Sequence, residues 1–390
     1  MGVIDLPLFL AIVSVVLGAT VGSFLNVVIY RIPRGLSVNE PRRSFCPSCE
    51  YKIPFHLNIP VLSWFLLAGK CKNCSERVSF RYCFVEMLTS ALFLTAWLTF
   101  AGSFDSIFYN NPQVVLVGWI FIALLICASF IDIEHQIIPD SINKIGIIIA
   151  IGSAFIFPEI VHEFMGMADS SSGGVSSRIV AVGWSLAGMG CGFVILYSVV
   201  IFGKILFGKK SLCSEDGTSW HVIEGEENPI LHIGDDEMPF EELFFVGTEK
   251  IVLNSSEIEI NGKRYGEGDL VIYYDKLVVS GNVVIPIEEW KTLEGVSSEI
   301  IYKREAMGLG DVKFIAMFGA FIGWKGVLFS LFTASIIGTS VNLPGKILGK
   351  DNAFARIPFG PYLAIGAMIW LFFGTDLLEW YFNLLTIDVS

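Results

Sequence analysis

Apolar residues in this chain come in long unbroken runs separated by polar stretches, not at the one-face spacing of a soluble helix. A helix crossing the roughly 30 Å hydrocarbon core of a bilayer needs about 20 residues at about 1.5 Å of rise each. Eight segments meet or approach that length: residues 6–30, 84–101, 114–131, 142–160, 179–202, 312–324, 327–343 and 362–373. The last three are short. The sixth and seventh read either as two helices turning at Trp324-Lys325-Gly326 or as one broken span.

Two hydrophilic segments interrupt the apolar pattern. The first, 31–81, holds four of the eight cysteines. The second, from about 204 to 304, switches to the two-residue alternation of strands in "SEIEINGKRYGEGDLVIYYDKLVVSGNVVIPI". Asn261-Gly262 predicts a two-residue hairpin turn, which needs positive φ at both positions, and Ser280-Gly281-Asn282 predicts another turn. "MGMADSSSGGVSS", 165–177, reads as a Gly/Ser-rich loop.

The expected architecture is a polytopic all-α membrane protein of about eight transmembrane helices with a cytoplasmic tetracysteine zinc loop and an inserted small, mostly-β cytoplasmic domain. Its parts are a first helix (1–30), the zinc loop (31–82), helices two to five (83–205), an acidic β-rich insertion (206–304) and helices six to eight (305–390).

Composition agrees with a membrane chain: 53% of residues are hydrophobic and 32 are Phe. Lysine and arginine favour the cytoplasmic side. With an external N-terminus, 24 of the 26 fall in cytoplasmic loops or at their edges, all but Arg178 and Lys325. "MGVID" lacks the basic region of a cleavable signal peptide, so the first span is expected to be retained. The net charge of −12 belongs mainly to one loop, because 21 of the 38 acidic residues lie in 211–305. No basic stripe suggests nucleic acid as a partner.

Cys46 and Cys49 in "CPSCE", and Cys71 and Cys74 in "GKCKNCSE", form two Cys-x-x-Cys pairs with 21 residues between them. Each pair offers two thiolates from one turn, and two turns complete a tetrahedral S₄ site. Four protein ligands make a closed, structural zinc site that folds a loop with little core of its own. A redox pair is the alternative, and disulfides are disfavoured in a reducing cytosol. Cys83, Cys127 and Cys191 lie in or beside spans as packing residues, and Cys213 has no visible partner.

Asp132 follows the third apolar segment and Asp311 precedes the sixth. Ionisable groups at membrane depth are costly and are functional candidates. In the expected topology both lie at cytoplasmic helix ends and can face each other in a bundle. Two facing carboxylates that share a proton suit aspartyl hydrolysis, one activating water and the other donating to the scissile carbonyl. Gly308 and Gly310 would let a substrate backbone approach Asp311, with Lys313 beside it. The bland alternative for either aspartate is a helix cap or a solvated charge. Asp140, after a proline, reads as an N-cap, and Glu134 and His135 as loop surface. Glu86 invites a basic partner, and Asn26 and Arg31 at the first span's exit are placed to line the same cavity as the aspartates.

Five stretches in order resemble those of the prepilin peptidases, the type IV leader peptidases of bacterial inner membranes: "GSFLNVVIYRIPRG", the tetracysteine run with "RYCFVEMLTSALF", "IDIEHQIIPD", "EAMGLGDVKF" and "RIPFGPYLAIGA". The resemblance covers nearly the whole chain apart from 206–304. It implies an aspartic endopeptidase of the Gly-x-Gly-Asp type with Asp132 and Asp311 as the catalytic pair and Cys46, Cys49, Cys71 and Cys74 as zinc ligands. Implied substrates are type IV prepilins and type II secretion pseudopilins, cut after a glycine at the cytoplasmic membrane face. Many members also N-methylate the new N-terminus with S-adenosylmethionine, although no glycine-rich nucleotide loop is evident here. The insertion departs from the family pattern, in which only a short loop precedes the Gly-x-Gly-Asp motif. The rival readings are a transporter using carboxylates as a relay, which calls for an acid near mid-span, and a non-enzymatic scaffold with a zinc-stabilised loop.

Overall fold

The computed structural model describes residues 6–41, 43–101, 112–166, 175–207, 210–223, 229–233, 236–240, 250–273, 276–280, 283–286, 292–302, 308–347 and 358–387. It divides into two compact units, Met1–Tyr197 with Leu309–Ser390, and Ser198–Gly308.

The apolar runs of the first unit become helices: α1 (Leu6–Arg31), the short α2 (Leu62–Leu66), α3 (Phe80–Phe100), α4 (Pro112–His135), α5 (Asp140–Ile156), α6 (Glu159–Met165) and α7 (Val175–Phe207). After the insertion come α8 (Leu309–Ile347) and α9 (Gly360–Ile387). Among the described residues, five helices are long and apolar enough to cross a membrane, in α1, α3, α4, α7 and α8, and 360–374 is a shorter apolar stretch. The expected fourth segment is shorter than its apolar run, because α5 stops at Ile156 and Pro158 opens α6 as a separate turn.

At about 1.5 Å per residue, the 35-residue candidate span within α8 would greatly exceed a bilayer core. It is two helical segments joined at Gly323, whose φ of 70° and ψ of 179° lie outside helical space. A Cβ at Gly319 would stand 2.9 Å from Val327 Cγ2. Residues eight apart in one straight helix are separated by about 12 Å, so the chain folds back there. The sixth and seventh apolar segments are thus separate, with the break at Gly323 rather than at 324–326.

Close packing sets the rest of the bundle. A Cβ at Gly18 would meet Ser90 Cα at 2.7 Å, and one at Gly22 would meet Glu86 Cα at 2.7 Å, so α1 lies directly on α3. Phe121 of α4 stacks on Phe321 of α8 with ring centres 4.6 Å apart. Trp370 of α9 donates through Nε1 to the Phe164 carbonyl at 3.0 Å.

The second unit carries one sheet: β1 (Lys210–Ile223), β2 (Ile230–Ile233), β3 (Asp236–Pro239), β4 (Lys250–Ile260), β5 (Lys263–Arg264), β6 (Gly268–Tyr273), β7 (Lys276–Val279), β8 (Val283–Pro286) and β9 (Leu293–Tyr302). The strand order is β3-β2-β1-β9-β4-β6-β7-β8, with β5 paired to β4, and every pairing is antiparallel. Alternating residues of β4, β6 and β7 turn inward around Trp220, Leu231, Leu253, Leu270 and Leu277, giving this unit its own core. Asn261 (φ 50°) and Gly262 (φ 76°) make the expected β4–β5 hairpin. Ser280 has φ 47°, while Gly281 and Asn282 lie outside the described residues, as does most of the 165–177 loop.

Candidate functional site

Asp132 sits in the last turn of α4 and is 5% exposed. Its Oδ2 accepts the backbone N–H of Gly360, the first residue of α9, at 3.1 Å. That bond joins two motifs 228 residues apart and uses a donor that the start of a helix leaves free. A Cβ at residue 360 would meet the same oxygen at 2.7 Å and Ile138 Cδ1 at 3.1 Å, so only glycine fits the present geometry.

Ile138, 8% exposed, lies in the bend between α4 and α5, which begins where Gln136 takes φ 52°. Its other side meets the Gly-x-Gly-Asp segment: a Cβ at Gly310 would lie 3.5 Å from Ile138 Cβ and 3.6 Å from its nitrogen. Ile138 thus stands between Gly360, bonded to Asp132, and Gly310, which precedes Asp311. Asp311 is half-buried in the first turn of α8. Gly308 is exposed immediately before that helix.

Lys313 Nζ reaches both oxygens of Asp140, at 2.7 and 2.9 Å, and ties the first turn of α8 to that of α5. Asp140 is therefore not the cap: Pro139 occupies the N-cap position and no side chain caps the helix. Glu134 pairs with Arg81 rather than lying free on a loop surface. His135 stands 3.5 Å from an Arg34 guanidinium nitrogen.

The four motif cysteines gather at one point, with ligand atoms all within 4.8 Å of one another. Sγ–Sγ separations are 3.8 Å for Cys46–Cys74 and 3.9 Å for Cys49–Cys71. Tetrahedral bonds of about 2.3 Å to sulfur imply edges of about 3.8 Å, so the residues fit a zinc-sized ion. Two similar turns present the thiols. In one, the Cys46 amide donates to Tyr51 O and Glu50 N–H to Cys46 O; in the other, Cys71 N–H donates to Glu76 O and Ser75 N–H to Cys71 O. Glu50 and Ser75 take matching φ of 55° and 62°. Backbone N–H groups of Cys74 and then Asn73 hold the Cys71 thiol down to about 7, whereas Cys74, despite an N–H from Glu76, is pushed up to about 12 by desolvation and by the neighbouring thiols, as when four thiols in one cluster share protons. Cys83 and Cys127 are buried in helices and Cys191 is half-buried, as packing residues would be. Cys213 lies in β1 opposite Glu299.

Asn26 and Arg31 line a cavity under the cysteine loop, but not one shared with the aspartates, because neither Asp132 nor Asp311 lines it. Arg31 is buried and grips the loop, donating to the carbonyls of Ser37, Val38, Pro41 and Arg43. Glu86 binds backbone rather than a base: its Oε2 accepts Val61 N–H at 2.6 Å.

The model of the type IV leader peptidase family matches residues 119–214 and 271–343, and that of the bacterial peptidase A24 N-terminal domain matches 16–100. The chain belongs to the type IV leader peptidase family. A prepilin leader peptidase/N-methyltransferase of Myxococcus xanthus is 38% identical over 46% of this chain, an alignment that spans half of that relative. Relatives of the same name are 24% identical in Aeromonas hydrophila and 26% in Legionella pneumophila. Those alignments cover 93% and 97% of this chain, and 90% and 96% of the relatives. No solved structure matches the chain. Residues 215–270, inside the β unit, fall between the two segments matched to the leader peptidase model.

Among the site's residues, the aspartates and cysteines are visible in sequence as acids at membrane depth and as spaced thiols. Gly360 and Ile138 are not. Glycine before proline at a helix start signals only a helix start, and Ile138 reads as an ordinary apolar residue.

Proposed function

We propose that the chain is a membrane-embedded aspartic endopeptidase. It removes the short basic leader of type IV prepilins and type II secretion pseudopilins, cutting after a glycine at the cytoplasmic membrane face. The observation that carries this reading is the convergence of both aspartate motifs on Ile138, with the Asp132 carboxylate fixed by the Gly360 amide.

In this mechanism Asp132 and Asp311 share one proton and titrate as a pair. The Gly360 N–H occupies one side of Oδ2 of Asp132 and fixes the plane of the carboxylate. The ionised member takes a proton from the attacking water while the protonated member donates to the scissile carbonyl. Gly308 and Gly310 leave room for the substrate backbone, and Lys313 braces the α8 turn through Asp140. A relay transporter calls for an acid near mid-span, whereas Asp132 and Asp311 occupy end turns of their helices.

The cysteine centre holds structural zinc, with Cys46, Cys49, Cys71 and Cys74 as ligands. The N-terminus is external, and the zinc loop, the β unit and the active site are cytoplasmic. A second activity, N-methylation of the exposed N-terminus with S-adenosylmethionine, follows the names of the relatives. Mass spectrometry of a model prepilin incubated with the purified chain tests both activities. The expected products are a mature pilin starting after the leader glycine and, with S-adenosylmethionine added, the same product carrying a methyl group. An intact prepilin would overturn the reading.

A further inference from the structure

The cysteine loop is a polar segment of the sequence, yet it turns large apolar side chains outward. Phe55, in the single 3-10 turn Phe55–Leu57, is 89% exposed, and Leu62, Phe65 and Leu66 of α2 are 58%, 57% and 79% exposed. Positions 62, 65 and 66 are three and four apart, so they share one face of the α2 turn. A loop with little core of its own would gain by burying such groups, and clustered exposure of this kind marks an interaction surface.

That face is tied to the end of a span. Ring contacts run from Phe65 to Trp64, with centres 5.3 Å apart, from Trp64 to Phe80 at 5.2 Å, and from Phe80 to Phe84 at 6.4 Å. Phe80 opens α3, and both Phe80 and Phe84 are exposed. The 21 residues of that candidate span rise about 31 Å, the thickness of a bilayer core, so Phe80 stands at its boundary. The apolar face of α2 is thus continuous with the lipid-facing surface of α3, at the depth where the hydrocarbon ends. Charge fits the same surroundings. Trp64 packs on Gly69, where a Cβ would lie 2.9 Å from its ring, and donates to Val78 O at 3.1 Å. Val78 N–H donates to Gly69 O, and the adjoining residues, Lys70 and Arg77, pair in a β-bridge. Both are exposed, as is Lys72, and Glu76 is the only acid in 62–79.

We propose that α2 and the Phe55 turn form an interfacial membrane anchor. Phe55, Leu62, Phe65 and Leu66 seat among the lipids of the leaflet at the start of α3, and Lys70, Lys72 and Arg77 meet its anionic headgroups. Elements of this kind bury their apolar face about 5–10 Å into the headgroup boundary, a depth that the two ring contacts from Phe80 to Phe65 span. A Trp at the same level is the usual companion of such a face, because its ring is apolar and its N–H is not. Basic side chains beside the face add attraction to anionic lipid. Arg31 ties the loop to α1 and the anchor ties it to the bilayer, so the metal loop lies on the membrane surface instead of standing off in water. The anchor holds whichever reaction the chain carries out.

The test uses the full, metal-loaded chain in nanodiscs of phosphatidylcholine and phosphatidylglycerol. An environment-sensitive fluorescent amino acid is genetically encoded in place of Phe65 or Leu66. Its emission should be blue-shifted, and lipid carrying a nitroxide near the headgroup end of its acyl chain should quench it. The quenching should match that of the same probe at Leu98, an exposed residue within the α3 span. Leaving out phosphatidylglycerol should weaken the quenching. Lys70→Gln with Arg77→Gln should abolish that dependence on anionic lipid, while the metal and leader cleavage are kept. A water-exposed, unquenched probe at both positions overturns the anchor. A blue shift that appears only when a prepilin is added would assign the face to the substrate's apolar helix. One that appears only in discs holding two chains would assign it to a second copy. Either result overturns the lipid anchor and leaves the cleavage reading untouched.

Discussion

The amide of Gly360 donates to Asp132 with no room for a side chain between them. Gly360→Ala would push a methyl into the carboxylate, and overpacking of this kind costs about 1–3 kcal/mol. Leader cleavage should fall about tenfold or more, since the displaced group is the carboxylate itself. Gly310→Ala is the informative contrast. Its methyl would meet Ile138 at ordinary contact distance, so the fold should accept it and the melting temperature should barely move. A drop in cleavage at unchanged stability would show that the space at 310 belongs to the substrate. The Lys313–Asp140 pair is about half exposed, and exposed pairs contribute about 0.2–1 kcal/mol. Lys313→Met should therefore change stability by no more than that in a denaturation assay. The acids were legible in sequence because charge at membrane depth is expensive. The partner of Asp132 was not, because a backbone N–H has no sequence signature.

Among the elements, the cysteine loop was the most legible, since thiol spacing specifies a metal knuckle almost without regard to tertiary context. Its attachment was not legible: Arg31 grips four loop carbonyls and Glu86 holds Val61 N–H, both side-chain-to-backbone contacts. The hairpin at Asn261-Gly262 followed from local φ preference alone. The break in α8 was visible as two apolar runs, but hydropathy alone set it one residue late, at 324–326 instead of Gly323. Structural zinc sites supply about 10–16 kcal/mol of apparent binding free energy in small domains. Chelation, or Cys46→Ser with Cys71→Ser, should make residues 31–79 susceptible to limited proteolysis. It should leave the α4–α5–α8–α9 region protected. Uniform protection after confirmed metal loss would contradict a structural role for the metal.

At the scale of the whole molecule, the β unit has a core of its own and carries most of the acidic charge. Its period-two pattern made the strands legible, whereas the nine-strand order depends on long-range pairings such as β1 with β9 that no local signal encodes. We propose that this acidic unit draws basic leaders toward the membrane unit. Deleting 211–300 should then slow cleavage at low salt and flatten its salt response, because attraction is screened beyond about 10 Å at 0.1 M ionic strength. An unchanged rate and salt response would make the unit an accessory without a steering role.

The central claim is that Asp132 and Asp311 act as one catalytic pair. The most direct measurement is cleavage of a model prepilin in detergent or liposomes by wild type, Asp132→Asn and Asp311→Asn, each checked for metal content and melting temperature. Acid–base groups of this kind contribute about 10²–10⁴-fold, so each variant should be folded, metal-bound and slower by at least about 10²-fold. A folded variant that cuts at close to the wild-type rate would contradict the pairing and reduce that aspartate to a structural charge.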